Sequence, residues 1–270
     1  MPSWTFRLTW YTLSPAGGVT REAEATSVDH QSPTLDEQIA QAVAHYWRTR
    51  QRQQERQLAQ GRSDQGARSA VTGGSQMVGF CELITHLLVD AGMAPADIFS
   101  RQSLELPGFF RPTKEWDLLV VRDGQLIAAI ELKSQVGPSF GNNFNNRTEE
   151  AMGTALDLWT AYREGALNKT VQPWLGYLFL LEDCARSRSP VRVAEPHFKV
   201  LPEFVHASYA RRYELFCRKL VRERHYNAAA FLLSARDSGL DGGFSQPAED
   251  LTCDVFARSL AAHAAAYSTE

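Results

Sequence analysis

The sequence predicts an α/β fold: a mixed β-sheet flanked by helices, with additional helices toward the N- and C-terminal ends. Three observations carry this prediction. The apolar runs Trp116–Val121 and Leu126–Lys133 are joined by Arg122-Asp123-Gly124-Gln125 and read as a β-hairpin with a tight turn. Trp174–Leu181 is a strongly apolar run of strand length. Segments with helical spacing lie before, between and after these runs, and mixed strands with covering helices give a layered α/β architecture.

In chain order, residues 1–33 are mixed and rich in Gly, Thr and Ser. A peripheral extension is expected there, with a strand at Trp4–Thr12. From Leu35 to Gln60, Leu35, Ile39, Ala42/Val43 and Tyr46/Trp47 recur at three-to-four spacing, which predicts a helical arm. Thr34 is its expected N-cap, with Asp36 and Glu37 in the first turn. The stretch Arg48–Arg56 is nearly all polar and reads either as a solvated arm or as a clamp on a DNA backbone. Gly61–Gly74 is a polar link. Ala67–Gln76 feeds an apolar helix, Met77–Ala91; a loop entering a helix N-terminus suits phosphate contact through Arg68, Ser75 and Gln76, or plain capping. A strand is expected at Ile98–Leu106 and a loop at Gly137–Asn146. A helix follows at Arg147–Arg163, with Met152, Ala155/Leu156 and Trp159/Tyr162 on one stripe. Pro202 and a helix at Tyr209–Arg224 close the core. Residues 227–270 read as a short helix, a Gly-rich loop and an Ala-rich helix. The whole is expected to be one domain, 1–270, with its core in 77–224.

Composition narrows the class. The chain has 270 residues, 44% hydrophobic and 22% charged, an ordinary globular balance. No apolar run approaches the ~20 residues of a membrane span, and the start lacks a signal-peptide core. Cys81, Cys184, Cys217 and Cys253 show no CxxC spacing, which argues against a zinc ribbon or a disulfide framework and points to a reducing cytoplasm. The net charge of −3 counts mildly against nucleic-acid binding. Yet only five of the 28 basic residues are lysine, and arginine suits bidentate contacts to phosphate and guanine. A GC-rich genome accounts equally well for that bias.

The hairpin carries the chemistry. Side chains alternate along a strand, so Glu131 and Lys133 share a face while Leu132 points away. Asp117, with thirteen residues between it and Glu131, opens the partner strand and can lie across from them. Mg²⁺ is usually held by one or two carboxylates, with waters and phosphate oxygens completing its shell. Asp117, Glu131 and the Leu132 backbone carbonyl meet that need, and Lys133 can orient or deprotonate a water. Such a set suits phosphodiester hydrolysis. The plain alternative is a strand-end salt bridge. Glu82, in an apolar helix, either aims at the same metal or faces solvent. Asn142, Asn143, Asn145, Asn146 and Arg147 follow closely; asparagine reads adenine and arginine reads guanine, although Asn146 or Thr148 could simply cap the next helix.

Asp117…Glu131-Leu132-Lys133 resembles the PD-(D/E)xK nuclease motif, with Glu115-Trp116 where a proline often precedes the acid. Ile130–Gln135, Gly141–Glu150, Ala155–Trp159, Gln172–Asp183 and Phe216–Arg224 together resemble the XhoI family of type II restriction endonucleases. The likeness runs from about Leu35 to Ser234. It implies a restriction-endonuclease-like core and a homodimer that cuts double-stranded DNA at 5′-CTCGAG-3′ with Mg²⁺, leaving 5′ overhangs. It also implies a companion DNA methyltransferase and gives Asp117, Glu131 and Lys133 as the catalytic set. The residues leave open a structure-directed repair or resolvase nuclease, or a DNA-binding module without catalysis.

Overall fold

The computed structural model describes residues 33–59, 75–168 and 172–268; the strand expected at Trp4–Thr12 and the candidate Arg68 lie outside them. Helix α1 (Leu35–Ala59) opens with a capping box. The Glu37 carboxylate accepts the Thr34 N–H at 2.7 Å, and the Thr34 hydroxyl accepts the Glu37 N–H at 3.3 Å. Its first half buries Ile39, Val43, Tyr46 and Trp47, whereas Gln51–Glu55 faces mostly water. Helix α2 (Val78–Asp90) packs beside it. There follow β1 (Ile98–Phe99), β2 (Glu105–Pro107), β3 (Thr113–Glu115), β4 (Leu118–Arg122) and β5 (Gln125–Gln135). The remaining elements are α3 (Phe140–Glu164), β6 (Trp174–Glu182), α4 (Ala185–Arg188), α5 (Tyr209–Arg222), β7 (Ala228–Ser234), α6 (Arg236–Gly239) and α7 (Cys253–Ala265).

The main sheet has the order β1-β4-β5-β6-β7. β1, β4 and β5 pair antiparallel, while β5, β6 and β7 pair parallel. Strands in its middle are buried on both faces, as their continuous apolar runs require. One face, with Leu118, Ile130, Leu132, Leu178 and Leu232, packs on Val43, Trp47, Phe80, Ile84 and Phe256 of α1, α2 and α7. The other, with Leu119, Ala129, Phe179 and Phe231, packs on Ala155, Leu158, Tyr213 and Phe216 of α3 and α5. β2 and β3 form a separate two-stranded ribbon.

Three expectations change. The strand expected at Ile98–Leu106 is split: β1 and β2 belong to different sheets, with Ser103 at φ 58° between them. The loop expected at Gly137–Asn146 is helical from Phe140 onward, because Phe140 and Phe144 dock on Tyr209 and Tyr213, with ring centroids 5.7 and 5.0 Å apart. Neither Asn146 nor Thr148 caps that helix; the N-cap is Ser139, and the Thr148 hydroxyl donates back to the Asn145 carbonyl. The short helix expected after residue 227 is instead β7, a fully buried strand. Alanine favours helices in isolation, but burial on both faces of a parallel sheet overrides that propensity.

Candidate active site

The Asp123-Gly124 turn has positive φ at both residues, 50° and 71°, as a two-residue hairpin turn demands. Its register would place Asp117 opposite Ile130. A β-bulge prevents this: Val121 pairs with Leu126 but Val120 pairs with Ala128, which leaves Ile127 over. The Ile127 carbonyl accepts a hydrogen bond from His263 Nε2 at 3.1 Å. Beyond the bulge Leu118 faces Ile130, so Asp117, just ahead of β4, faces Glu131. Glu131, between Ile130 and Leu132 of the opposite face, points to the α3 side, and Asp117 lies across from it.

The Leu132 N–H donates to Asp117 Oδ2 at 2.8 Å. Lys133 Nζ lies 3.5 Å from the same oxygen and bonds Glu131 Oε1. Lys114 Nζ donates to Glu131 Oε2 at 2.7 Å and to the Glu115 carbonyl at 2.7 Å, and sits 4.6 Å from the Trp116 ring centroid. Glu131 is nearly inaccessible, with 5% of its side chain exposed, whereas Asp117 keeps 33%. Burial opposes ionisation of Glu131, but Lys133 and Lys114 outweigh it and hold its pKa below the usual carboxylate value. At Asp117 burial wins over Lys133, and Glu131 adds to it, so the pKa is raised. Lys133 is held as an ammonium: desolvation is exceeded by Glu131 and Asp117.

Two clefts meet at this cluster. One, of about 230 Å³, is lined by Asp117, Lys133, Gln76, Asn143, Arg147 and Arg50. The other, of about 640 Å³, is lined by Glu131, Lys133, Lys114, Arg147 and Phe110. Lys133 and Arg147 belong to both. Gln76 is 95% buried, and its side-chain oxygen has no hydrogen-bond partner among the described residues. Ser75 instead ties to α1, its hydroxyl accepting from Gln53 at 3.1 Å and its carbonyl from His45 at 3.2 Å.

The other sequence candidates divide by exposure and by which of them line a cleft. Asn143 and Arg147, four apart, line the smaller cleft, while Asn142, Asn145 and Asn146 are exposed and line neither cleft. Glu82 is exposed and lines neither cleft. It follows Cys81, whose thiol donates to the Asp117 carbonyl at 3.8 Å and is pushed up to about 12 by burial, with Asp117 and Glu82 adding to the shift. Sequence reasoning passed over Lys114 and Arg50. Lys114 had a signal: in a chain with five lysines, two bracket this acid pair.

The sequence profile described as restriction endonuclease XhoI matches residues 56–246. The type II restriction enzyme BstVI of Geobacillus stearothermophilus is 53% identical over 207 residues, 75% of this chain and 92% of that protein. XhoI of Xanthomonas vasicola is 50% identical over 181 residues, covering 66% of this chain and 72% of that enzyme. AbrI of Azospirillum brasilense is 49% identical over 160 residues, covering 59% and 72%. No solved structure matches significantly. With the paired acids and lysine brought together by the hairpin of β4 and β5 and the profile spanning most of the chain, the chain belongs to the XhoI family of restriction endonucleases.

Proposed function

We propose that this restriction endonuclease cuts double-stranded DNA at 5′-CTCGAG-3′, leaving 5′ overhangs, with Asp117, Glu131 and Lys133 as its catalytic set. The carrying observation is that Lys133 Nζ reaches both carboxylates at once. The family implies a divalent metal cofactor, and the proposal makes it Mg²⁺. The residues fit that ion: an ammonium already occupies the point the two acids share. Among the described residues no group of three or more His, Cys, Asp or Glu side chains is arranged to hold a metal ion, so waters and the Leu132 carbonyl would complete the shell, as Mg²⁺ favours. When bound, the ion lowers the pKa of a coordinated water and offsets charge on the phosphate.

The chain's own groups do the rest. Asp117 and Glu131 fix the anionic seat, and the Leu132 N–H keeps the Asp117 carboxylate turned toward it. Lys133, with 22% of its side chain open to the clefts, is placed to orient the attacking water and to meet negative charge on the phosphate. Arg147 and Asn143 offer donors beside it. Lys114 neutralises the buried Glu131 without needing to move during the reaction.

A palindromic site matches a two-fold dimer, so the proposal includes a homodimer, and the family implies a companion methyltransferase. No helix among the described residues is long and apolar enough to cross a membrane. The test is plasmid digestion with Mg²⁺ and sequencing of the ends. Wild-type protein gives discrete fragments ending within CTCGAG. Lys133→Ala abolishes cleavage while retaining site-specific binding; full activity in that variant removes the catalytic assignment.

A further inference from the structure

The loop Gly108–Pro112 joins β2 to β3 and exposes two aromatic rings, Phe109 at 52% and Phe110 at 66%. Exposed rings forgo burial, and a slack loop would fold them inward. This loop is instead pinned. The buried Asp157 carboxylate accepts the Phe109 and Phe110 N–H groups on Oδ1 at 2.7 and 2.8 Å, and Arg111 Nε on Oδ2 at 2.7 Å. Gly108 donates its N–H to the Pro112 carbonyl at 3.2 Å. A Cβ at Gly108 would lie 2.6 Å from the Arg111 carbonyl and 2.7 Å from Asp157 Oδ2, so only glycine lets the loop close on that carboxylate. The two rings brace each other edge to face, with centroids 4.9 Å apart.

Phe110 shares its cleft with Glu131 and Lys133. A phosphate that reaches Lys133 brings its duplex past this ring. The charges around the cleft are mixed, with Arg111, Lys114, Lys133 and Arg147 against Glu131, Glu149, Glu150 and Asp157; Arg111 is bound to Asp157 at 2.7 Å and Arg147 to Glu150 at 2.6 Å. A simple phosphate clamp is therefore not what this wall offers; its distinctive group is a rigidly supported, solvent-facing aromatic ring. We propose, resting on the endonuclease reading above, that the Gly108–Pro112 loop is an aromatic wedge and that Phe110 inserts between adjacent base pairs of the bound duplex near the scissile phosphate. Apolar side chains used this way partly unstack a base step and kink the duplex.

The test uses full-length protein and CTCGAG duplexes in which 2-aminopurine is walked across the site and its flanks, with Ca²⁺ replacing Mg²⁺ to hold back cutting. Wild-type protein raises the emission at one step. Phe110→Ala abolishes that rise and weakens duplex binding about ten- to a hundredfold, with an unchanged thermal midpoint, and Phe110→Trp restores both. Unchanged emission and affinity in Phe110→Ala overturn the wedge. So does a Phe109→Ala/Phe110→Ala variant that sediments as a smaller species yet keeps the emission change, since the rings then serve a second copy of the chain. Wild-type cutting at CTCGAG with a silent Phe110→Ala removes the wedge alone. Wild-type protein that neither binds nor cuts the duplex removes both readings.

Discussion

At the residue scale, the site sets two carboxylates with opposite tendencies against each other. Glu131 is held ionised by two lysines, whereas Asp117 is pushed toward protonation. A carboxyl whose folded-state pKa lies above its unfolded value favours the fold in its protonated form, and that contribution fades as pH rises through the folded-state value. Ionised Asp117 therefore destabilises the fold at neutral pH. Asp117→Asn, which keeps an acceptor for the Leu132 N–H, is expected to raise the thermal midpoint at pH 7 in the absence of metal while abolishing cleavage. Below the ordinary aspartate pKa the two midpoints should converge. A lower midpoint at pH 7 would show that the Lys133 pair outweighs burial. Strand alternation puts Glu131 and Lys133 on one face in the sequence alone, whereas the place of Asp117 across from Glu131 depends on the Ile127 bulge, which no local signal announces. Sequence reasoning did not reach Lys114, since nothing local to Thr113–Glu115 reveals that β3 lies beside the end of β5.

At the element scale, α3 shows how a polar run hides a helix. Gly141–Asn146 carries residues that favour turns, and the intrinsic preference is real. Phe140 and Phe144 decide against it, because their burial on α5 requires a helical rise between them. The consequence is a sorted set of amides. Asn143→Ala and Arg147→Ala are expected to weaken duplex binding, each by about 1–3 kcal/mol if the group reads a base. Asn145→Ala, exposed and lining neither cleft, should change binding by less than about 0.5 kcal/mol. Titration of each variant against labelled duplex separates the two classes, and equal losses would refute that division. The N-cap at Thr34, by contrast, was legible in the sequence, since a Thr-x-x-Glu pattern before an apolar helix specifies its own geometry.

For the whole molecule, the sheet separates two cores, and β7 is needed by both. Leu232 faces one while Phe231 and Leu233 face the other. The sequence alone left β7 unassigned as a strand because its pairing with β6 is long-range and parallel. A run of three alanines carries no strand signal of its own. Leu232→Ala, at a site with no exposed surface, should cost about 2–5 kcal/mol, seen as a lower denaturant midpoint. A change below about 1 kcal/mol would mean that β7 contributes little to the packing of that face.

The extra residue at Ile127 has a consequence for how this hairpin tolerates insertions and deletions. Removing Ile127 would join Leu126 to Ala128 and give uninterrupted pairing from the Asp123-Gly124 turn, with Val120 still opposite Ala128 and Asp117 still opposite Glu131. The chain between the two acids can thus lose this one residue: an Ile127 deletion should still cut plasmid, with a lower thermal midpoint from the lost side chain and its carbonyl bond to His263. Uncut plasmid from a folded deletion variant would show that the bulge itself aims the acids.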